Sequence, residues 1–300
     1  MSQYIYRKMF IQEEISLIVS SDPSAGATNI SPDGSRFEIQ LDGEGISIPK
    51  DALNVNVSVE ESTVWWVVPN IITGQNDKFY VFGDDDHTDA DGVPDPIPQL
   101  FTVTIPQGLY DLSGLNNALQ AELEAQGART VDALNNPLPL ISLSADDSTQ
   151  KVRIRFNYPN AYIEFTPPDT CREILGFDAG KYGPFANAPL SILAPNTAAF
   201  NQVNYFLIHS DLVNQGIRFN NRYNQTVAQV LINVAPGSQI VSTPFNPARC
   251  NGQELAGSKR TNLRFWITDD KQRAVNTNGE YWSCRLVIHY TRPMIIAKVS

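Results

Sequence analysis

The side chains with the most evident chemistry lie between Asp84 and Pro98, which read DDDHTDADGVPDPIP. Six carboxylates crowd this stretch, and Pro94, Pro96 and Pro98 exclude regular structure in its second half. Asp89, Asp91 and Asp95 are spaced around Gly92 in the manner of a calcium loop, where hard oxygen ligands converge on one point and glycine permits a sharp turn. An EF-hand register would put His87 first and Pro98 twelfth, with no bidentate Glu. The expectation is an exposed acidic loop. Asp89, Asp91 and Asp95 are its candidate calcium ligands, with weak affinity of roughly 10⁻⁴–10⁻³ M, and no other cofactor is expected.

Elsewhere the reactive side chains are sparse. His87, His209 and His289 are the only histidines, and the last two sit on strand-like apolar runs. Cys171 stands beside Arg172, a neighbour that can lower a thiol pKa, but no histidine is placed in sequence to act with it. No G-x-S-x-G, H-E-x-x-H, P-loop or dinucleotide fingerprint is present. Trp65, Trp66, Trp266 and Trp282 have faces on which a sugar could stack, yet all four lie inside strand patterns, where core packing is the commoner use. These residues point to a scaffold or binding surface rather than an enzyme.

The elements that must hold such a surface are mostly strands. Leu263, Phe265 and Ile267 alternate with polar or exposed-type neighbours, and Trp282, Cys284, Leu286, Ile288 and Tyr290 share one parity. Asn276, Asn278 and Gly279 between them read as a connection, a long hairpin. Phe37, Ile39 and Leu41 alternate, as do Val55, Val57 and Val59. Thr63 to Val68 is apolar on both parities and stops at Pro69. One helix is expected, from Leu112 to Gln126: Leu112, Leu115, Leu119 and Leu123 form a stripe, Asp111 or Ser113 can cap it, and Gly127 ends it. Leu138–Ser144 and Lys151–Phe156 read as a hairpin, TPPDTCREILGF as one helical turn ending at Gly176, and residues 178–200 as a long crossover. Residues 1–33 have arm composition, and Met294–Ser300 reads as a tail.

Composition sets the frame. The 300 residues carry a net charge of −10, and only 18% are charged. Acidity disfavours nucleic acid, and the basic spots Arg7–Lys8 and Lys259–Arg260 are small, so no specific nucleic-acid site is expected. The low charge fraction suits a chain that buries much of its outside against neighbours. Cys171, Cys250 and Cys284 are too few and scattered for a disulfide framework, which points to a reducing host compartment. No apolar run approaches the roughly 18 residues of a membrane span, and MSQYIYRKMF has no apolar core of a signal peptide.

About eight strands at sandwich spacing with one inserted helix give an all-β fold class: an antiparallel jelly-roll sandwich with an inserted small α+β unit. Five pieces, in order, carry a family resemblance: VWWVVPNI; FTVTIPQGLYDLSGLNNALQAEL; IEFTPPDTCREILGF; NYFLIHSDLV; and NLRFWITDD followed by CRLVIHY. Together they resemble the minor capsid, or penton, proteins of virophages and polinton-type elements, which are vertex proteins of icosahedral shells related to adenoviruses. The resemblance runs from about Asn54 to Arg292 and leaves residues 1–50 and 84–98 uncovered. It implies a structural protein of the virion, a homo-oligomer of five copies at each vertex, and a neighbouring major capsid protein as partner. On this reading 1–33 is an N-terminal arm, 34–99 the first part of the jelly-roll, 100–177 the inserted unit and 178–300 the second part. Two alternatives stay open: a double jelly-roll major capsid protein with one roll per half, and a jelly-roll carbohydrate-binding module.

Overall fold

The structure, a computed structural model, describes residues 4–43, 45–83, 99–131, 137–157, 161–183, 191–200, 203–220 and 222–299. It divides into two units, Met1–Val68 with Val203–Ser300, and Pro69–Gln202. In chain order the first unit opens with β1 (Tyr4–Ser20), β2 (Ala27–Thr28), β3 (Arg36–Gln40) and β4 (Leu53–Trp65). The second unit supplies β5 (Lys78–Gly83), β6 (Gln99–Thr104), α1 (Leu112–Ala125), β7 (Ile141–Asp146), β8 (Lys151–Phe156), β9 (Tyr162–Glu164), α2 (Arg172–Leu175), β10 (Lys181–Tyr182) and β11 (Ser191–Leu193). The first unit then resumes with β12 (Tyr205–Ser210), β13 (Thr226–Leu231), β14 (Gln239–Ser242), β15 (Cys250–Asn251), β16 (Asn262–Asp269) and β17 (Ser283–Val299). Shorter two- and three-residue ribbons complete the described strands.

The first unit is a sandwich of two antiparallel sheets. One has the order β1-β17-β4-β14, with β15 also paired to β4; the other has the order β13-β12-β16-β3-β2. The alternation in the sequence explains why they stack. Trp282, Cys284, Leu286, Ile288 and Tyr290 are all buried, as are Val55, Val57 and Val59 of β4 and Leu263, Phe265 and Ile267 of β16. Each strand therefore offers one apolar face, and the two faces close on each other. Phe37 stacks on Phe265 within its own sheet at 5.5 Å and meets Trp282 of the opposite sheet edge-on at 5.0 Å. Trp66 and Phe206 make a second aromatic pair at 6.0 Å. This is the antiparallel jelly-roll type of sandwich expected from the sequence.

Three expectations need correction. β16 and β17 do not form a hairpin: β16 pairs with β12 and β3, while β17 pairs with β1 and β4. The connection after β16 crosses from one sheet to the other. It is turned by buried Asp269, whose carboxylate accepts from the Lys271 and Arg273 backbone N–H groups at 2.9 and 2.8 Å and from Arg273 Nε at 2.7 Å. The first 20 residues of the expected arm contain β1, and the expected tail is the far end of β17. The two strands pair without interruption from Tyr4 with Val299 to Ser20 with Ser283. Chain ends that are weak strands alone satisfy each other's main-chain groups when paired.

The second unit has its own core. β5 pairs with both β6 and β9, in a sheet of order β10-β9-β5-β6, and β7-β8-β11 form another. Asp111 caps α1 by accepting from Gly114 N–H at 2.6 Å, and Leu115, Leu119 and Leu123 are buried. They pack in one cluster with Phe79, Phe101, Phe156 and Phe165. Gly176 ends α2 at φ 79°, where a Cβ would strike the Asn196 carbonyl, so glycine is required. This unit spans 69–202 rather than the expected 100–177. The difference has a physical cause: β5 finds its hydrogen-bond partners in β6 and β9, and β10 and β11 of the expected crossover complete its sheets. Because the sandwich takes strands from both ends of the chain, the alternative of one roll per half does not hold. No helix among the described residues is long and apolar enough to cross a membrane.

Candidate functional site

Asp89, Asp91 and Asp95, the candidate calcium ligands, lie at 84–98, outside the described residues, as does His87. Among the described residues no group of three or more His, Cys, Asp or Glu side chains is placed to hold a metal. Cys171, the thiol beside Arg172, is fully buried. Burial, followed by the charge of Asp77, pushes its thiol well above the ordinary range, so Arg172 does not activate it. The Arg172 guanidinium points instead to the carbonyls of Phe165, Thr166 and Pro167. Burial also raises Cys250, and takes Cys284 up to about 12. All three thiols are free.

The two histidines of the sandwich have different settings. His209 is buried on β12, its Nε2 within 2.8 Å of Thr268 Oγ1 and its Nδ1 within 3.1 Å of Thr226 Oγ1. Trp266 stacks on it in parallel at 5.2 Å. Both nitrogens are thus satisfied by hydroxyls in an apolar setting, and burial lowers its pKa to about 4. The unfolded chain binds a proton near pH 6.5 and the folded one only near pH 4. Stability is therefore fully present above pH 6.5 and falls as pH drops toward 4, by about 3 kcal/mol. Urea melts between pH 7 and 4 should show this decline, and His209→Gln should remove that part of the pH slope.

His289 lies on the outer face of the other sheet, in a group drawn from three strands. Ser58 Oγ is 3.3 Å from Nε2, Glu60 is 3.8 Å from Nε2 and Glu14 is 3.7 Å from Nδ1. Arg285 holds Glu60 at 2.9 Å and approaches Glu61 at 4.0 Å. The serine–histidine–carboxylate line has the ordering of a nucleophilic triad, but Ser58 is fully buried and its hydroxyl also faces the Val287 carbonyl at 3.5 Å. A substrate carbonyl has no path to that oxygen. The group instead ties β1, β17 and β4 together across the sheet. Beside it a polar cleft of about 420 Å³ is lined by Glu13, Glu14, Asn56, Arg249 and His289 among others.

No motif spacing marks the His289 group, because its members come from residues 14, 58, 60 and 289 and meet only through strand pairing. The tryptophans resolve in the opposite sense. Trp66 and Trp282 are buried, Trp65 and Trp266 are half-buried, and Trp266 is covered by the His209 ring. Trp66 and Trp282 are thus closed to a sugar, and His209 closes one face of Trp266.

Fold and side chains together define a two-sheet antiparallel β-sandwich protein with a separate α+β unit inserted between its strands. No family model matches the chain, and no curated protein matches it either. Among solved structures the chain is similar to the crystal structure of the mavirus penton protein, with 11% identity and a TM-score of 0.44 over 94% of this chain and 99% of that one. It is also similar to a chain of the cryo-EM structure of the Sputnik virophage, with 14% identity and a TM-score of 0.38 over 92% of this chain and 97% of that one. At such values neither likeness carries the fold assignment, which rests on the sheets themselves.

Proposed function

We propose that this chain is a structural capsid protein that forms the pentameric vertex of an icosahedral virus shell, beside a major capsid protein. The observation that carries the reading is the coincidence of sequence and architecture. The pieces that resemble penton proteins fall, in order, on the end of β4, on β6 and α1, on β9 and α2, on β12, and on β16 and β17. They thus mark a single sandwich interrupted after Val68 and resumed at Val203 by a self-contained unit, the arrangement that the resemblance implies. The low charge fraction supports the reading, since closed rings need large lateral contacts. So does the chemistry of the described interior, where thiols and His209 are sealed in.

Mass photometry or sedimentation tests this reading. The purified chain should form five-copy assemblies, alone or once mixed with its major shell protein. A strict monomer under both conditions would count decisively against a vertex role.

A further inference from the structure

The sheet β1-β17-β4-β14 has β1 at one edge and β14, with the short β15 beside it on β4, at the other, and neither β1 nor β14 has a strand partner on its outer side among the described residues. Natural sheets protect such edges with charged side chains, prolines or bulges, because an open row of N–H and C=O groups recruits another strand. Here the protection is missing over one stretch of each edge. Ile15–Ser20 reads ISLIVS and Gln239–Thr243 reads QIVST, with no charge and no proline in either. Large apolar side chains stand in solvent at both edges: Ile18 is 75% exposed on β1, Val241 is 56% exposed on β14, and Phe245 just beyond it is 97% exposed.

The register relates the two edges. Ser20 pairs with Ser283, Ser283 with Thr63, and Thr63 with Val241, so Ser20 and Val241 occupy one row across the sheet. Ile18 lies two residues from Ser20 on the same strand and therefore on the same outer face. The next row in the core direction, Val19–Cys284–Ser62, is buried, which confirms which face is which. The exposed apolar groups of the two edges are thus on one face, with Ile18 two residues, about 7 Å, along β1 from the row that Val241 shares with Ser20.

Strand direction supplies the rest. Four strands alternate from β1 to β14, all antiparallel, so the two edge strands run in opposite senses. A second copy turned about an axis along the strands presents its β14 antiparallel to the first copy's β1, and the alternation of the sheet continues unbroken. Docking Val241 level with Ser20, the row the two already share within one copy, gives no rise from copy to copy, which favours a closed ring over a filament. Each copy carries a net charge of −10, so copies repel one another broadly and meet most easily where charge is absent.

We propose that the β14 edge of one copy, from Val241 to Phe245, docks against the Ile18–Ser20 end of β1 in the next copy, with Val241 level with Ser20 and Val241 and Phe245 on either side of Ile18. This names the two surfaces of the ring proposed above and rests on that reading for its closure. Both contact patches are on the sandwich, and the occupant of each is a second copy of this chain.

Two variants at exposed positions test it by complementation. Ile18→Lys destroys the β1 surface and leaves β14 intact; Val241→Lys does the reverse. Each alone should remain monomeric by mass photometry, with far-ultraviolet circular dichroism and melting as in the wild type. An equal mixture should give one-to-one dimers and nothing larger, since only one intact pair of surfaces exists. Phe245→Ser, outside the strand and unable to disturb the sheet, should raise the concentration for half assembly by about tenfold. Three results would overturn the inference while leaving the ring reading standing: assembly of Val241→Lys at wild-type strength, dimers of Val241→Lys alone through β1 against β1, or no dimer in the mixture although the wild type assembles. A wild type that stays monomeric with and without the shell protein would instead overturn the ring reading, and this surface with it.

Discussion

Trp282→Ala should destabilise the sandwich by about 3–5 kcal/mol, the range for removing a large buried aromatic side chain. The indole is 1% exposed at the entry to β17. It meets Phe37 of the opposite sheet edge-on at 5.0 Å, and its Nε1 donates to the Gly34 carbonyl at 3.2 Å. Its backbone N–H donates to Ser21 Oγ at 2.9 Å, and its carbonyl accepts from Ser21 N–H at 2.9 Å. Truncation opens a cavity between the two sheets and leaves the Gly34 carbonyl without this donor. Chemical denaturation monitored by far-ultraviolet circular dichroism measures the loss. A change below about 1 kcal/mol, the size typical of surface substitutions, would mean that the sheets do not close over this residue.

Leu286→Ala should cost about 2–5 kcal/mol, by the same denaturation experiment. Leu286 is fully buried in β17, between Leu17 of β1 and Val59 of β4. A central strand cannot collapse onto the space left by the three lost side-chain carbons without shifting its pairing on both sides, so the cavity term is retained. A substitution on the other parity gives the control: Arg285→Ala on the outer face, 41% exposed, should change stability by no more than about 1 kcal/mol. Equal losses at 285 and 286 would mean that the face of β17 is misassigned.

The inner strands of the fold were readable because burial writes a pattern into them. Val55, Val57 and Val59, or Leu263, Phe265 and Ile267, must alternate since one face meets the opposite sheet. The leucine stripe of α1 was readable for the same reason, with the turn period of a helix. β1 carries a weaker mark: Ile15, Leu17 and Val19 alternate with Ser16, Ile18 and Ser20, but the apolar Ile18 blurs the outer face. As an edge strand it is covered on one side only, so Gln12, Glu13 and Glu14 are tolerated in its middle and its composition looks like an arm. Pairing partners were the other loss. Local alternation shows that β16 and β17 are strands, but which strands they join depends on contacts with residues more than 200 positions away, such as β1 with β17.

The functional surfaces divide along the same line. Residue type and spacing alone mark the acidic stretch at 84–98 and Cys171 beside Arg172. The neighbour Arg172 says nothing of the thiol's state, because burial is a tertiary property. The His289 group and the matched edges at Ile18 and Val241 arise only when distant strands are brought into register, and no motif announces them. An uncharged run such as ISLIVS is ordinary in a core strand. It acquires meaning only once the strand is known to lie at an edge.

Negative-stain imaging of the purified assembly tests the vertex assignment most directly. The account predicts rings whose class averages have fivefold symmetry, built from one sandwich per subunit. Pseudo-hexagonal trimers, or isolated monomers whether or not the major shell protein is present, would contradict it.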